Sequence, residues 1–157
     1  MARLLVVTPI KETWGNEKEV VFLGEWCKLY SCKKSWHNLN HSVIPYHWDD
    51  RNKLEKDYYY LIDFYEKILK KISIKMNSIH QINLSHRYWR ILLGPWLGLL
   101  IQSVFDRWEM IQLAINSNEK LQSNIISKSE LIWTPCDYSD FKKLVMESDG
   151  WNNFIYS

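Results

Sequence analysis

Several things are scarce in this sequence, and each scarcity removes a class of explanation. Charge of one sign comes first: 20 basic against 18 acidic residues leave a net charge of +2 over 157 residues. No large positive field follows, so general electrostatic attraction to nucleic acid or anionic lipid is unsupported, and a local cluster must carry any such argument. Cysteine is scarce too. Cys27, Cys32 and Cys136 are odd in number and lack C-x-x-C spacing, which fits reduced thiols in a cytoplasmic protein better than a disulfide framework.

Long apolar runs are also missing. The opening MARLLVVTPIKETW has only Leu4 to Val7 before Thr8 and Pro9, too short for the apolar segment of a signal peptide. The most apolar window, ILLGPWLGLLI at 91–101, is about half of the roughly 20 residues a membrane span needs. No transmembrane segment is expected. Neither G-x-G-x-x-G nor G-x-x-x-x-G-K-[ST] occurs, so no phosphate-cradling loop of a known type is present and no cofactor is implied.

What the chain does have is aromatic surface. Nine Trp and nine Tyr supply large amphipathic rings that stack on sugars or bases, and that also fill cores. A composition 46% hydrophobic and 24% charged is that of a globular protein, and the length predicts one domain over 1–157 with a real core.

Arg3 to Thr8 and Val20 to Leu23 read as short buried strands, with a third over Ser42 to Tyr46. From Asp50 to about Ile79, apolar residues recur at Leu54, Tyr58, Leu61, Tyr65, Ile68, Ile72, Met76 and Ile79, steps of three and four that define one helix face. Asp49 or Asp50 is placed to cap it. Asn83 or Ser85 is placed to cap a second helix from His86 to about Asn116, which is apolar on nearly every side and should be central, kinked at Pro95. Beyond it, NSNEKLQSN reads as a polar connection, SELIWTP as a short strand, DYSDFKKLVMES as a short helix and DGWNNFIYS as the start of another element. Strands followed by a long helical pair predict an α/β fold, a small parallel sheet packed with long helices.

Ligands of open α/β sheets bind outside the carboxyl ends of the strands. Three loops leave strands there. TPIKETW offers Glu12, Thr13 and Trp14, or Trp14 folds back as a plug. GEWCKLY offers Glu25, Trp26 and Cys27. PYHWDDR offers His47, Trp48, Asp49 and Arg51, a mixture that helix capping by one Asp does not explain. A carboxylate desolvated beside aromatic rings is a candidate general base, so Glu12 and Glu25 qualify, unless each merely pairs with a lysine. His47 with a carboxylate is an acid–base pair, and Trp48 a stacking platform.

SHRYWR places Arg87 and Arg90 at a helix start, where the dipole disfavours cations. Either a protein carboxylate or an anionic ligand must answer them. FDRW, 105–108, reads as a structural ion pair. Cys27, Cys32, His37 and His41 give C-x4-C-x4-H-x3-H, but a central spacing far from the roughly 12 of a two-Cys two-His finger argues against zinc, and no metal site is expected.

In this order, TPIKETW, VVFLGEWC, PYHWDDR, DYYYL, SHRYWRILLGPWL and FDRWEMI resemble the N-terminal part of a family of transferases of bacterial surface-polysaccharide and O-antigen (lipopolysaccharide) biosynthesis. The likeness runs from about residue 7 to residue 115. It implies the N-terminal half of a two-domain, GT-B-like glycosyltransferase, with the nucleotide-sugar donor site in a further C-terminal domain and a glycan or lipid-linked acceptor as partner. The expectation is therefore a cytoplasmic glycosyltransferase-like domain, enzymatic as part of the full-length protein. Glu12 or His47 would act as base, and Asp49 would orient His47. Arg87 and Arg90 would bind phosphate or acidic sugar, and Trp14 and Trp48 would stack on the acceptor, with Thr13, Glu25 and Arg51 among the substrate contacts. A non-catalytic glycan-binding or interaction domain, or a truncated relic, is the alternative; nucleic acid is not an expected partner.

Overall fold

A computed structural model describes residues 2–17, 19–117, 120–126 and 134–156. Four strands form one sheet: β1 (Arg3–Val6), β2 (Glu19–Phe22), β3 (Asn40–Val43) and β4 (Leu121–Gln122). Their order is β3-β2-β1-β4 and every pairing is parallel. Five helices accompany them among the described residues: α1 (Lys33–Trp36), α2 (Arg51–His80), α3 (His86–Ile115), α4 (Tyr138–Glu147) and α5 (Asp149–Ile155). The fold is α/β with a small parallel sheet.

The chain divides into two compact units, one of Met1–Asp49 with Asp106–Ser157 and one of Asp50–Phe105. The first holds the sheet. Because strand side chains alternate between faces, Leu4, Val6, Val20 and Phe22 pack with Trp14 and Cys27 on one side. Leu5, Val7, Val21 and Leu23 pack with Met110 and Ala114 of α3 on the other. Burial on both faces explains why the first two strands read as unbroken apolar runs. β4 was hidden within the polar segment NSNEKLQSN, since two residues carry no periodicity; backbone pairing defines it, with the Arg3 N–H donating to the Lys120 carbonyl at 2.8 Å. β3 starts and ends earlier than its pattern predicts, and the strand expected over 129–135 lies largely outside the described residues.

The second unit is a helical hairpin. Asp50 caps α2 by accepting from the Asn52 and Lys53 N–H groups, and the Ser85 hydroxyl accepts from the Tyr88 N–H at the start of α3. At the turn, Asn77 Oδ1 accepts from the Leu84 N–H and from Trp89 Nε1, while its Nδ2 donates to the Leu84 carbonyl. Gly94 is a close-approach position, since a Cβ there would lie 2.5 Å from the Tyr65 hydroxyl. Pro95 sits inside α3 without ending it. The expected central post is only partly so: Trp89, Leu97, Met110 and Ala114 are buried, whereas Ile91, Leu92, Val104 and Trp108 are exposed. Hydrophobicity all round the helix did not translate into burial all round.

Candidate active site

At the carboxyl ends of β2 and β3, within the sheet-bearing unit, lies an open cleft of about 790 Å³. Gly24, Glu25 and Trp26 line it after β2, and Ile44, Pro45, Tyr46 and Asp49 line it after β3. α3 contributes Asp106 and Arg107; α4 and the segment through α5 contribute Glu147, Asp149 and Asn152, with Tyr156 beyond. Its position follows from the parallel topology, which leaves the loops of neighbouring strands side by side at one end of the sheet.

Trp26 reaches back over its own strand end. Its Nε1 donates to the Val7 carbonyl at 3.1 Å, and its ring covers Gly24 so closely that a Cβ there would lie 1.9 Å from it. Glycine at 24 therefore lets the indole wall the cleft.

The polar centre is Asp106. Its Oδ1 accepts from the Tyr46 hydroxyl at 2.7 Å and from His47 Nε2 at 3.1 Å, and its Oδ2 accepts from Arg107 Nη1 at 3.0 Å. Arg107 extends the network: Nε and Nη2 donate to Asn152 Oδ1 at 3.1 and 2.9 Å, and Nη2 to the Val145 carbonyl at 3.3 Å. One guanidinium thus ties α3 to α4 and α5 through a fork of donors. Burial, followed by the bond to Asp106, pushes the Tyr46 phenol well above its ordinary range, and burial does the same to Tyr156. Desolvation raises the Asp149 carboxyl above its ordinary value. A carboxyl of raised pKa facing a cleft suits proton acceptance from a hydroxyl.

The structure distributes the sequence candidates unevenly. Glu25 and Asp49 line the cleft, Glu25 also pairing with Lys28 at 2.9 Å. His47 is not part of the lining; its side chain is fully enclosed, and its Nε2 meets the Asp106 carboxylate. Trp48 packs on the His47 ring at 4.4 Å between centroids. Glu12, Thr13 and Trp14 are absent from the lining: Glu12 is exposed, Thr13 is buried with its hydroxyl on the Ile10 carbonyl, and Trp14 folds inward with Nε1 on the Thr8 carbonyl. Arg51, Arg87 and Arg90 belong to the helical-hairpin unit. There Arg90 is answered by a protein carboxylate, forking onto Glu66 at 2.6 and 2.5 Å, while Arg51 and Arg87 are exposed. Cys27 donates its thiol to the Val6 carbonyl, and burial pushes it up to about 12, the opposite of what a thiolate ligand needs. Asp106, Arg107, Asp149 and Asn152 are the residues sequence reasoning under-weighted. FDRW marked the first two as an ion pair, which they are at 3.0 Å, without showing that they border a cleft. Nothing in DGWNN signalled the others.

A family model described as LIC12162 family transferase matches residues 3–157. The chain belongs to that family. No curated protein and no solved structure matches it. Membership of a transferase family implies a donor and an acceptor in general. Among the described residues, no helix is long and apolar enough to cross a membrane.

Proposed function

We propose that this family member is the acceptor-side domain of a cytoplasmic sugar transferase acting in bacterial surface-polysaccharide synthesis, built as the N-terminal half of a GT-B-like enzyme. The observation that carries this reading is the cleft: Trp26, Tyr46 and Tyr156 give it aromatic walls, and Asp49, Asp106 and Asp149 give it carboxylates, the combination that holds a polyol by stacking and by accepting its hydroxyl protons. Asp149 takes the proton from the acceptor hydroxyl as that oxygen attacks the anomeric carbon of the activated sugar, and the bond from that carbon to the phosphate oxygen breaks, so that the nucleoside diphosphate leaves with the bonding electrons. Asp106, held by Tyr46, His47 and Arg107, fixes the acceptor. His47 is then a positioning residue acting through Asp106.

The test is transfer of labelled sugar from nucleotide-sugar donors to glycan and lipid-linked acceptors by the full-length protein that carries this chain. Asp149→Asn should lower turnover by at least about a hundredfold with little change in acceptor KM, as loss of a general base does. Normal turnover in that variant removes Asp149 from the role. Glycan binding without transfer from any donor moves the protein to the alternative class, a glycan-binding module.

A further inference from the structure

The balanced net charge conceals a segregation along the chain. Between Lys67 and Phe105 there is no Asp or Glu, yet six Lys and Arg residues fall in that stretch. Two have carboxylate partners just before it, Lys67 on Asp63 and Arg90 on Glu66. Lys70, Lys71, Lys75 and Arg87 are exposed and form no ion pair among the described residues. At about 100° per residue, Lys70, Lys71, Ile74 and Lys75 share one arc of the last turns of α2, away from the buried Leu69 and Ser73, and Ile79 adjoins that arc on its Lys75 edge. On α3, Arg87, Tyr88, Ile91 and Leu92 share the arc away from buried Trp89 and Leu97.

The apolar members of these arcs stand in solvent. Ile74 is 64% exposed, Ile79 58%, Ile91 71% and Leu92 58%, and Ile82 in the turn between the helices is 42% exposed. Branched aliphatic side chains interleaved with unpaired lysines fit a boundary between water and hydrocarbon, where the aliphatics enter and the cations stay at the level of the headgroups.

We propose that the end of the α2/α3 hairpin docks on the surface of an anionic lipid bilayer. Ile79, Ile82 and neighbouring aliphatics enter the headgroup region, and Lys70, Lys71, Lys75 and Arg87 pair with lipid phosphates. Charge complementarity selects this occupant: a surface with four unanswered cations and no carboxylate in its stretch of chain is drawn to an anionic sheet. Nucleic acid would supply the same phosphates, but it rewards stacking rings, and Tyr88 is the one exposed aromatic between Lys67 and Phe105. With no helix able to cross a bilayer among the described residues, the hairpin rests on the surface. Docking of this kind holds the enzyme where lipid-linked substrates lie, whichever sugar it transfers.

Co-sedimentation of the whole protein with phosphatidylcholine vesicles, and with vesicles containing about one quarter phosphatidylglycerol, tests the proposal. Binding is expected only to the anionic vesicles and should weaken with salt. Lys71→Gln with Lys75→Gln should weaken it about thirtyfold, and Ile79→Ser with Ile82→Ser should weaken it at every salt concentration, with unchanged helical circular dichroism in both. Equal affinity for neutral vesicles, or no vesicle binding, overturns the proposal. So does tighter binding to a single-stranded oligonucleotide than to anionic vesicles, or a dimer in sedimentation equilibrium that Ile79→Ser with Ile82→Ser dissociates while vesicle binding is unaffected.

Discussion

His47 Nε2 lies 3.1 Å from Asp106 Oδ1, and the same oxygen accepts from the Tyr46 hydroxyl at 2.7 Å. Two neighbours in sequence thus bind one oxygen of a residue far along the chain, at the edge of the cleft. Asp106→Ala would remove the acceptor that Tyr46 and His47 share and one acceptor of Arg107. The expected loss is about 3 kcal/mol of unfolding free energy, because three hydrogen bonds are lost together. Tyr46→Phe removes one neutral donor and should cost about 1 kcal/mol. Urea denaturation of both variants checks the ratio, and equal losses would contradict the shared-oxygen arrangement.

Arg107 answers three helices at once through Asp106, Asn152 and the Val145 carbonyl. Arg107→Lys keeps the charge but has no planar fork to reach them together. It should therefore destabilise by about 2 kcal/mol, while Asn152→Ala, which removes one acceptor of Arg107 and the Asn152 Nδ2 bond to the Ser148 carbonyl, should cost less. A double-mutant cycle between positions 107 and 152 should give a coupling of at least about 1 kcal/mol; additivity would show that the contact contributes nothing.

The two close-approach glycines make a contrast with Gly98. At Gly94 an added methyl meets the Tyr65 hydroxyl, and at Gly24 it meets the Trp26 ring, whereas at Gly98 it would rest 3.9 Å from the Tyr65 ring. Gly94→Ala should destabilise by about 1–3 kcal/mol through overpacking. Gly98→Ala should be neutral or stabilising by up to about 1 kcal/mol, since alanine is the better helix former. Gly24→Ala should displace the Trp26 indole and show as a change in tryptophan emission; an unchanged spectrum and stability would mean the ring does not cover Gly24 in solution.

Alkali should unfold the protein before acid–base effects at the surface do. Cys27 holds its proton in the folded state up to about 12 against an ordinary 9.0, because of burial. Tyr46 and Tyr156 are shifted upward from 10.0 by the same cause. Folded values above unfolded ones mean that this stability is fully present below pH 9.0 and is lost as pH rises toward 12. Cys27 and Tyr156 each contribute at most about 1.4 kcal/mol per pH unit in their windows, and Tyr46, which is 37% exposed, contributes less because solvent screens it. Denaturant midpoints measured from pH 8 to pH 11 should fall, and the fall between pH 9 and 10 should be shallower in Cys27→Ala. An identical slope in that variant would mean that the thiol is not held protonated by the fold.

How much of this was legible beforehand depends on the range of the interaction. The two long helices and the first two strands were visible because period and apolar content act between residues a few positions apart. So were the Asp50 and Ser85 caps, each offered as one of two candidates, because a cap is a local bond. β4 was not, since its pairing partner is β1, more than a hundred residues away. Trp14 illustrates the limit: spacing allowed a ligand-facing ring or an inward plug, and only the Thr8 carbonyl at 3.1 Å chose the plug.

The sequence alone determined an α/β chain with two long helices, no phosphate loop, and a motif series that resembles transferases. Tertiary structure decided which of those motifs share a cleft. It joined the loops after β2 and β3 to Asp106, Arg107 and Asp149, left Glu12 outside, and gave Arg90 to Glu66. The reason is physical: helix and strand formation are set by near neighbours along the chain, whereas a pocket depends on crossovers that bring distant strand ends and helices together, and no local period encodes them.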